Sequence, residues 1–168
     1  GKIAPPLRSE SDIEALWEAV FDGTVDTIGS DHNSRKRDSK EGKNIWDAAG
    51  GMPNNPVLLP VLLSEGVNKR GLPIQRVAEL TSYNPAKIFN LYPKKGTIQV
   101  GSDADIAIVD LEMEKKVNPA ELYSHSDYSL YEGWTLKGWP CRTILRGKTV
   151  MKDGTIVGDK GAGKFIPR

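Results

Sequence analysis

A carboxylate and an imidazole stand side by side at the end of a short, half-apolar run early in the chain. Residues 24–31 read Thr-Val-Asp-Thr-Ile-Gly-Ser-Asp, and His32 follows at once. The two apolar side chains are compatible with a buried strand, and the Gly-Ser pair marks its end. In barrels of parallel strands, the active site lies at the carboxyl ends of the strands. We therefore predict a strand over residues 24–30 that delivers Asp31 as the chemical centre of the chain.

Length and composition indicate one soluble globular unit and exclude several classes of protein. The 168 residues carry a formal net charge of +1, so neither nucleic acid nor a membrane surface is expected as a partner. A single cysteine, Cys141, excludes an internal disulfide framework and is typical of a reducing compartment. The longest apolar run, residues 57–63, is too short to span a bilayer, and no charged-then-apolar leader opens the chain. We expect a cytoplasmic protein.

Helix signals flank the Asp-His pair on both sides. Apolar residues at helical spacing predict an amphipathic helix over residues 10–22, with Ser9 as its N-cap and Gly23 as its stop. Further helices are predicted over residues 56–69, 73–82 and 84–91. A polar loop over residues 31–55 separates them from the strand, and a loop of this length in a compact domain is usually functional or disordered. Its start at the Asp-His pair favours the functional interpretation.

The helical period disappears after residue 93, where we place a domain boundary. Short β runs follow, and we predict strands over residues 98–100, 106–109 and 143–145. Asp153-Gly154 lies between two further β runs, 149–152 and 155–157, and predicts a hairpin with a type I′ turn. The chain thus divides into residues 1–93 and residues 94–168.

The first part is too small to be a complete barrel of alternating strands and helices. Such a barrel needs about 250 residues, and residues 1–93 contain one clear strand. A lone strand of the parallel type leaves both of its edges without a partner. We therefore expect the chain to belong to a larger polypeptide or to pair its strand with another chain.

Several motifs along the whole sequence are those of a known family. They are residues 5–8 (Pro-Pro-Leu-Arg), 22–32 (Asp-Gly-Thr-Val-Asp-Thr-Ile-Gly-Ser-Asp-His), 64–67 (Ser-Glu-Gly-Val), 84–89 (Asn-Pro-Ala-Lys-Ile-Phe), 94–98 (Lys-Lys-Gly-Thr-Ile) and 101–110 (Gly-Ser-Asp-Ala-Asp-Ile-Ala-Ile-Val-Asp). In these motifs the chain resembles the cyclic amidohydrolases, which are the hydantoinases, dihydropyrimidinases, allantoinases and dihydroorotases of the amidohydrolase superfamily. The last motif is the most specific, a turn that enters a β strand.

The resemblance implies an α/β fold of two parts. Residues 1–93 would form the last strand and helices of a (β/α)8 TIM-type barrel of the metal-dependent hydrolases. Residues 94–168 would form the C-terminal part of the accompanying small β-sandwich domain and the tail.

The resemblance also implies a site with two divalent metals, usually zinc. In the family the ligands are a His-x-His pair, a carbamylated lysine, two further histidines and one aspartate on the last strand. Only the aspartate has a counterpart here, Asp31, which would be a metal ligand and the proton shuttle. The chain has two histidines, His32 and His125, without metal-binding spacing, so we expect no complete metal site in this segment alone. We interpret His32 as a hydrogen-bonded structural residue, since strand alternation turns it away from Asp31.

A glycine-rich turn is the second candidate site element. By the resemblance, the backbone N–H and C=O groups of Gly50, Gly51 and Met52 would hold the ring amide of the substrate, and glycine permits that close approach. A plain turn is an equally good interpretation. Dihydroorotases have a proline and a second histidine where this chain has Ser34 and Arg35, which disfavours dihydroorotate as substrate.

The resemblance therefore implies part of a hydrolase of cyclic C–N bonds in ureides and imides such as hydantoin or allantoin. A metal-activated water would attack the ring carbonyl, and Asp31 would carry the proton. Its partners would be the small ring substrate and either further copies of itself, in a homo-oligomer, or the N-terminal part of the barrel. The alternative is a non-catalytic, oligomeric scaffold of the dihydropyrimidinase-related type.

Overall fold

The computed structural model describes residues 2–167. Its first element is the helix α1, Glu10–Asp22, as predicted. Ser9 caps it in a reciprocal capping box, in which Asp12 N–H bonds the Ser9 side chain and the Asp12 carboxylate accepts from Ser9 N–H. Gly23 ends the helix in the left-handed conformation, with φ of 93°.

The segment after α1 is not a strand, and the prediction of a strand over residues 24–30 is wrong for the chain as described. The backbone hydrogen bonds of this segment are made to helical residues: Val25 N–H donates to Ala19 O and Ile28 N–H donates to Leu80 O. A strand requires a neighbour to pair with, and residues 2–167 supply none beside this segment. We call residues 24–30 the presenting segment.

Within residues 2–167, the helical part consists of one helix of 13 residues, three short α-helical stretches and the turns between them. They are α1, α2 (Leu58–Val61), α3 (Ile74–Ala78) and α4 (Asn84–Ile88). A 3-10 turn at Asn55–Val57 precedes α2, and π-helical turns at Leu62–Asn68 and Glu79–Tyr83 extend α2 and α3. The predicted helical spans are therefore close to the observed ones. The helix predicted over residues 84–91 is α4, which stops at Ile88 because Asn90 takes a positive φ of 58°.

The C-terminal part is a four-stranded antiparallel sheet in the order β1-β2-β3-β4. The strands are β1 (Ile106–Lys116), β2 (Thr135–Leu145), β3 (Lys148–Lys152) and β4 (Thr155–Ile156). Asp153 and Gly154 both have positive φ, which confirms the predicted hairpin between β3 and β4. The predicted strand over residues 98–100 is wrong: these residues lie in an irregular stretch that leads into a turn, and Ile98 is 82% exposed.

Two apolar clusters hold these parts together. The first joins α1 to the helices that follow, through Val20, Leu62, Leu72, Val77 and Leu80. The second joins the helical part to the sheet, through Val57, Val117, Leu136 and Trp139. Burial of such side chains contributes about 1.5–3 kcal/mol each, so the helices and the sheet stabilise one another.

A wide groove of about 920 Å³ lies between the helices and β1. Its lining is mostly apolar and includes Leu63, Val77, Phe89, Ile106 and Val109. No helix in the part of the chain that the structure describes has the length and apolarity needed to cross a membrane.

Candidate functional site

Asp31 lies at the carboxyl end of the presenting segment, with its side chain exposed. Its backbone has a φ of 44°, in the left-handed region that few non-glycine residues occupy, and aspartate tolerates this region better than most. The backbone on both sides is held: Asn54 Nδ2 donates to Ser30 O at 3.3 Å, and Asn33 N–H donates to Met52 O at 2.9 Å. The carboxylate is thus presented to the surface from a fixed turn.

His32 is hydrogen-bonded to the end of the loop over residues 31–55. Its Nδ1 accepts a hydrogen bond from Asn55 N–H at 3.2 Å, and this bond requires an unprotonated Nδ1. The hydrogen bond predicted for His32 is therefore present. His125 is exposed, in an irregular stretch between the 3-10 turn Pro119–Glu121 and β2.

The glycine-rich turn lies directly against the Asp31 end of the presenting segment. His32 and Met52 form an isolated parallel β-bridge. Gly51 has a φ of 95°, and a Cβ built there would lie 2.5 Å from Asn33 Cβ, so only glycine fits without displacement. Met52 is buried, at 2% exposure. The structure thus brings the turn against the two residues that follow Asp31, His32 and Asn33, which lie about twenty positions earlier in the sequence.

The carbonyl groups of this turn are bonded within the chain. Gly50 O accepts from Arg35 Nε at 3.2 Å, and Gly51 O accepts from Lys40 Nζ at 2.7 Å. Met52 O accepts from the backbone of Asn33. These bonds fix the orientation of the peptide planes, and with them the direction in which the turn presents its remaining groups.

The structure adds Asn54 to the candidate site. Its Nδ2 holds Ser30 O, one residue before Asp31, while its Oδ1 is buried and has no hydrogen-bond partner among residues 2–167. A buried acceptor without a partner is costly, so the position of this side chain requires an explanation. The only sequence signal was the polar Asn54-Asn55 pair after Pro53.

A complete metal site is not formed by this part of the protein. Between residues 2 and 167, no three His, Cys, Asp or Glu side chains are close enough together to hold a metal ion. The Asp31 carboxylate is a suitable oxygen ligand, but a zinc centre takes about three or four protein ligands. The residues described here therefore fit one ligand of a metal site and not the whole site.

The start of the loop is anchored to the segment before β2. Arg35 N–H donates to Ser126 Oγ at 2.9 Å, and Arg37 N–H donates to the Asp127 carboxylate at 2.8 Å. This hydrogen bond holds the pKa of Asp127 below its ordinary value. Arg37 also pairs with Glu132 at 2.8 Å. The sheet portion thus contributes directly to the placement of the site loop.

Barrel enzymes carry their catalytic residues at the carboxyl ends of the strands, and Asp31 lies at the carboxyl end of the presenting segment. A sequence profile described as the Amidohydrolase family matches residues 3–150. The chain belongs to the amidohydrolase family, which confirms the resemblance. Metal binding is general in this family.

The more particular similarity is to hydantoinases and an allantoinase. The chain is 40% identical to an L-hydantoinase of Paenarthrobacter aurescens, over 99% of its own length and 37% of the relative. It is 42% identical to an allantoinase of Rubrobacter xylanophilus, over 98% of its own length and 36% of the relative. Among solved structures, the L-hydantoinase (dihydropyrimidinase) from Arthrobacter aurescens matches with a TM-score of 0.95 at 40% identity, over 99% of this chain and 38% of that one. The chain therefore spans little more than a third of the length of these relatives.

Proposed function

We propose that this chain is the C-terminal part of a hydrolase that opens cyclic amide bonds in ureides and imides, with hydantoins and allantoin as the nearest substrates. The observation that carries the proposal is the position of Asp31: an exposed carboxylate on a constrained turn, at the carboxyl end of the presenting segment and one residue before the His32–Met52 bridge. The names of the relatives support it, since the ones compared above are hydrolases of such rings. They also disfavour the scaffold alternative.

The proposed architecture completes the presenting segment. Residues 1–93 would supply the last strand and helices of a (β/α)8 barrel, and residues 94–168 would supply part of a small β-sandwich domain. The presenting segment would then become a true strand by pairing with strands from the rest of the protein. Its support is that a segment leading to the candidate site has no strand neighbour within residues 2–167.

In the proposed reaction, Asp31 moves a proton. Water adds to the ring carbonyl carbon, the ring C–N bond breaks, and the products are a carboxylate and an amine or ureido group. One proton of the water must reach the leaving nitrogen. An exposed carboxylate at the reacting bond can accept this proton at an oxygen and return it to the nitrogen. Gly50, Gly51 and Met52 would hold the ring amide at their backbone groups.

We also propose that Asp31 is one ligand of a divalent metal centre, with two zinc ions per subunit in the complete protein. The remaining ligands would come from the part of the protein outside these residues. The metal would supply the Lewis acidity that makes water a nucleophile near neutral pH. We further propose that the complete protein is a cytoplasmic homo-oligomer.

The test is hydrolysis by the complete protein and by its Asp31→Asn variant. We expect the complete protein to open at least one ring of a panel of hydantoin, dihydrouracil and allantoin. Asn cannot accept the proton, so Asp31→Asn should lower kcat by about 10²–10⁴-fold. Asp38→Asn is the matched control, an exposed aspartate in the same loop, and should retain activity within about twofold. A complete protein without bound metal and without activity on the panel would instead identify the scaffold.

A further inference from the structure

Lys40 is bound in an unusual way for a lysine. Its ammonium donates to three backbone carbonyls: Lys2 O at 3.0 Å, Ala49 O at 2.7 Å and Gly51 O at 2.7 Å. An ammonium has three N–H groups, so all of its donors are used on the main chain. Within the described range, 2–167, it has no ion pair with a carboxylate. A lysine is normally solvated, so this arrangement requires an explanation.

The electrostatics around Lys40 oppose its charge. The side chain is partly buried, and burial lowers the pKa of the ammonium, with the positive charges of Arg35 and Lys2 lowering it further. The three carbonyl dipoles are the groups that favour the charged form. A cation held in this way constrains the positions of its ligands, because each carbonyl must stay in place to compensate for the hydration that the ammonium has lost.

The three carbonyls belong to two segments that lie far apart in the sequence. Lys2 lies at the start of the chain, and Ala49 and Gly51 lie in the glycine-rich turn. Further bonds reinforce the same contact: Gly51 N–H donates to Lys2 O at 3.2 Å, and Ala49 N–H donates to Ser39 O at 2.8 Å. The Lys2 ammonium in turn donates to Ile45 O at 2.9 Å. Lys40 is the centre of this network.

We propose that Lys40 is a positioning residue that fixes the Gly50–Met52 turn relative to Asp31. Lys40 holds the peptide planes of the turn. The position of the turn then determines where a ring amide lies relative to the Asp31 carboxylate. Lys40 itself touches no reacting atom. The role rests on the proposed function, in which this turn binds the substrate.

The test compares Lys40→Met with Lys43→Met in the complete protein. Methionine keeps most of the length and apolar volume of the lysine but removes the three donors. Lys43 is an exposed lysine in the same loop and is the matched control. For Lys40→Met we expect a rise in KM of about tenfold or more, with kcat within about threefold, because a displaced binding turn weakens ring binding more than the chemistry. Bound metal should stay unchanged, and Lys43→Met should behave as the unaltered protein.

A second readout does not depend on activity. Amide hydrogen exchange of a peptide covering residues 45–52 should become at least about tenfold faster in Lys40→Met and stay unchanged in Lys43→Met. Unaltered KM together with unaltered exchange would overturn the proposal, and so would equal losses in kcat and kcat/KM with a lowered Tm. If the complete protein opens no ring, the proposed function fails, while exchange still decides whether Lys40 holds the turn.

Discussion

At the scale of single residues, the candidate site depends on one close approach of the Gly51 backbone to the Asn33 side chain. Gly51 faces Asn33, the residue two positions after Asp31. The positive φ of Gly51 lets the start and the end of the loop come into contact. The same contact places Met52 O where Asn33 N–H can reach it. A side chain at position 51 would push the turn away from the Asp31 carboxylate. Both the geometry of the candidate site and the local stability therefore depend on this contact.

We therefore expect Gly51→Ala to destabilise the protein by about 1–3 kcal/mol, because the new Cβ meets Asn33 and the backbone keeps a φ that alanine disfavours. The measurement is the free energy of unfolding from urea denaturation. Gly50→Ala is the control: a Cβ there meets no heavy atom within 4 Å, and Gly50 is not among the positive-φ residues. Its effect should stay within about 0.5 kcal/mol. Equal effects at the two positions would show that the close approach does not exist in solution.

Part of the site could be predicted from local sequence, and part could not. Asp31 and the glycine-rich turn carry local signals, a strand-like run that ends in Asp-His and a Gly-Gly pair. Asn54 carries only the weak signal of a polar pair after Pro53, and Lys40 carries none, because the role of each arises only when the loop returns to its start. A lysine in a charged loop is normally solvated, and only the fold shows that Lys40 lies among three carbonyls. Loop closure is a tertiary property that residue spacing does not encode.

At the scale of elements, α1 is the part that is specified most fully by its own sequence. Its cap, its apolar period and its stop all lie within residues 9–23, and the structure has them as predicted. This local consistency explains why the prediction succeeded here. Strands differ because they need partners. The presenting segment and residues 98–100 have strand-like composition, yet neither has a neighbouring strand in residues 2–167. In the β3–β4 hairpin, a local turn places the two strands side by side.

The capping box leads to a prediction at this scale. Ser9→Ala removes the side chain that accepts Asp12 N–H, so we expect a loss of about 1 kcal/mol of stability. Hydrogen exchange at the first turn of α1, together with urea denaturation, measures it. Glu18→Ala, at an exposed position inside the same helix, should change stability by less than about 0.5 kcal/mol. No difference between the two variants would mean that the cap is not formed in solution.

At the scale of the whole molecule, apolar surface remains uncovered. The groove of about 920 Å³ beside β1 is open and mostly apolar, and Trp46 and Ile98 are 85% and 82% exposed. The presenting segment adds backbone groups that could pair with a strand. Exposed apolar patches and free strand edges promote association.

We therefore expect the 168-residue chain, when produced by itself, to self-associate. Light scattering coupled to size-exclusion chromatography should give a mass well above 18.4 kDa, and the excess should grow with protein concentration. A stable monomer over a wide range of concentrations would contradict this expectation. The complete protein is the comparison, because it should elute as one defined species.

The shared core between helices and sheet has a consequence for motion. Val57 packs with Leu136 and Trp139, and a Cβ at Gly138 would come within 2.7 Å of Leu63 Cβ, so β2 lies almost on the backbone of the helical part. A hinge between the two parts would break this contact and expose the cluster to water. We therefore expect the helical part and the sheet to move together, because relative motion would separate this packed contact.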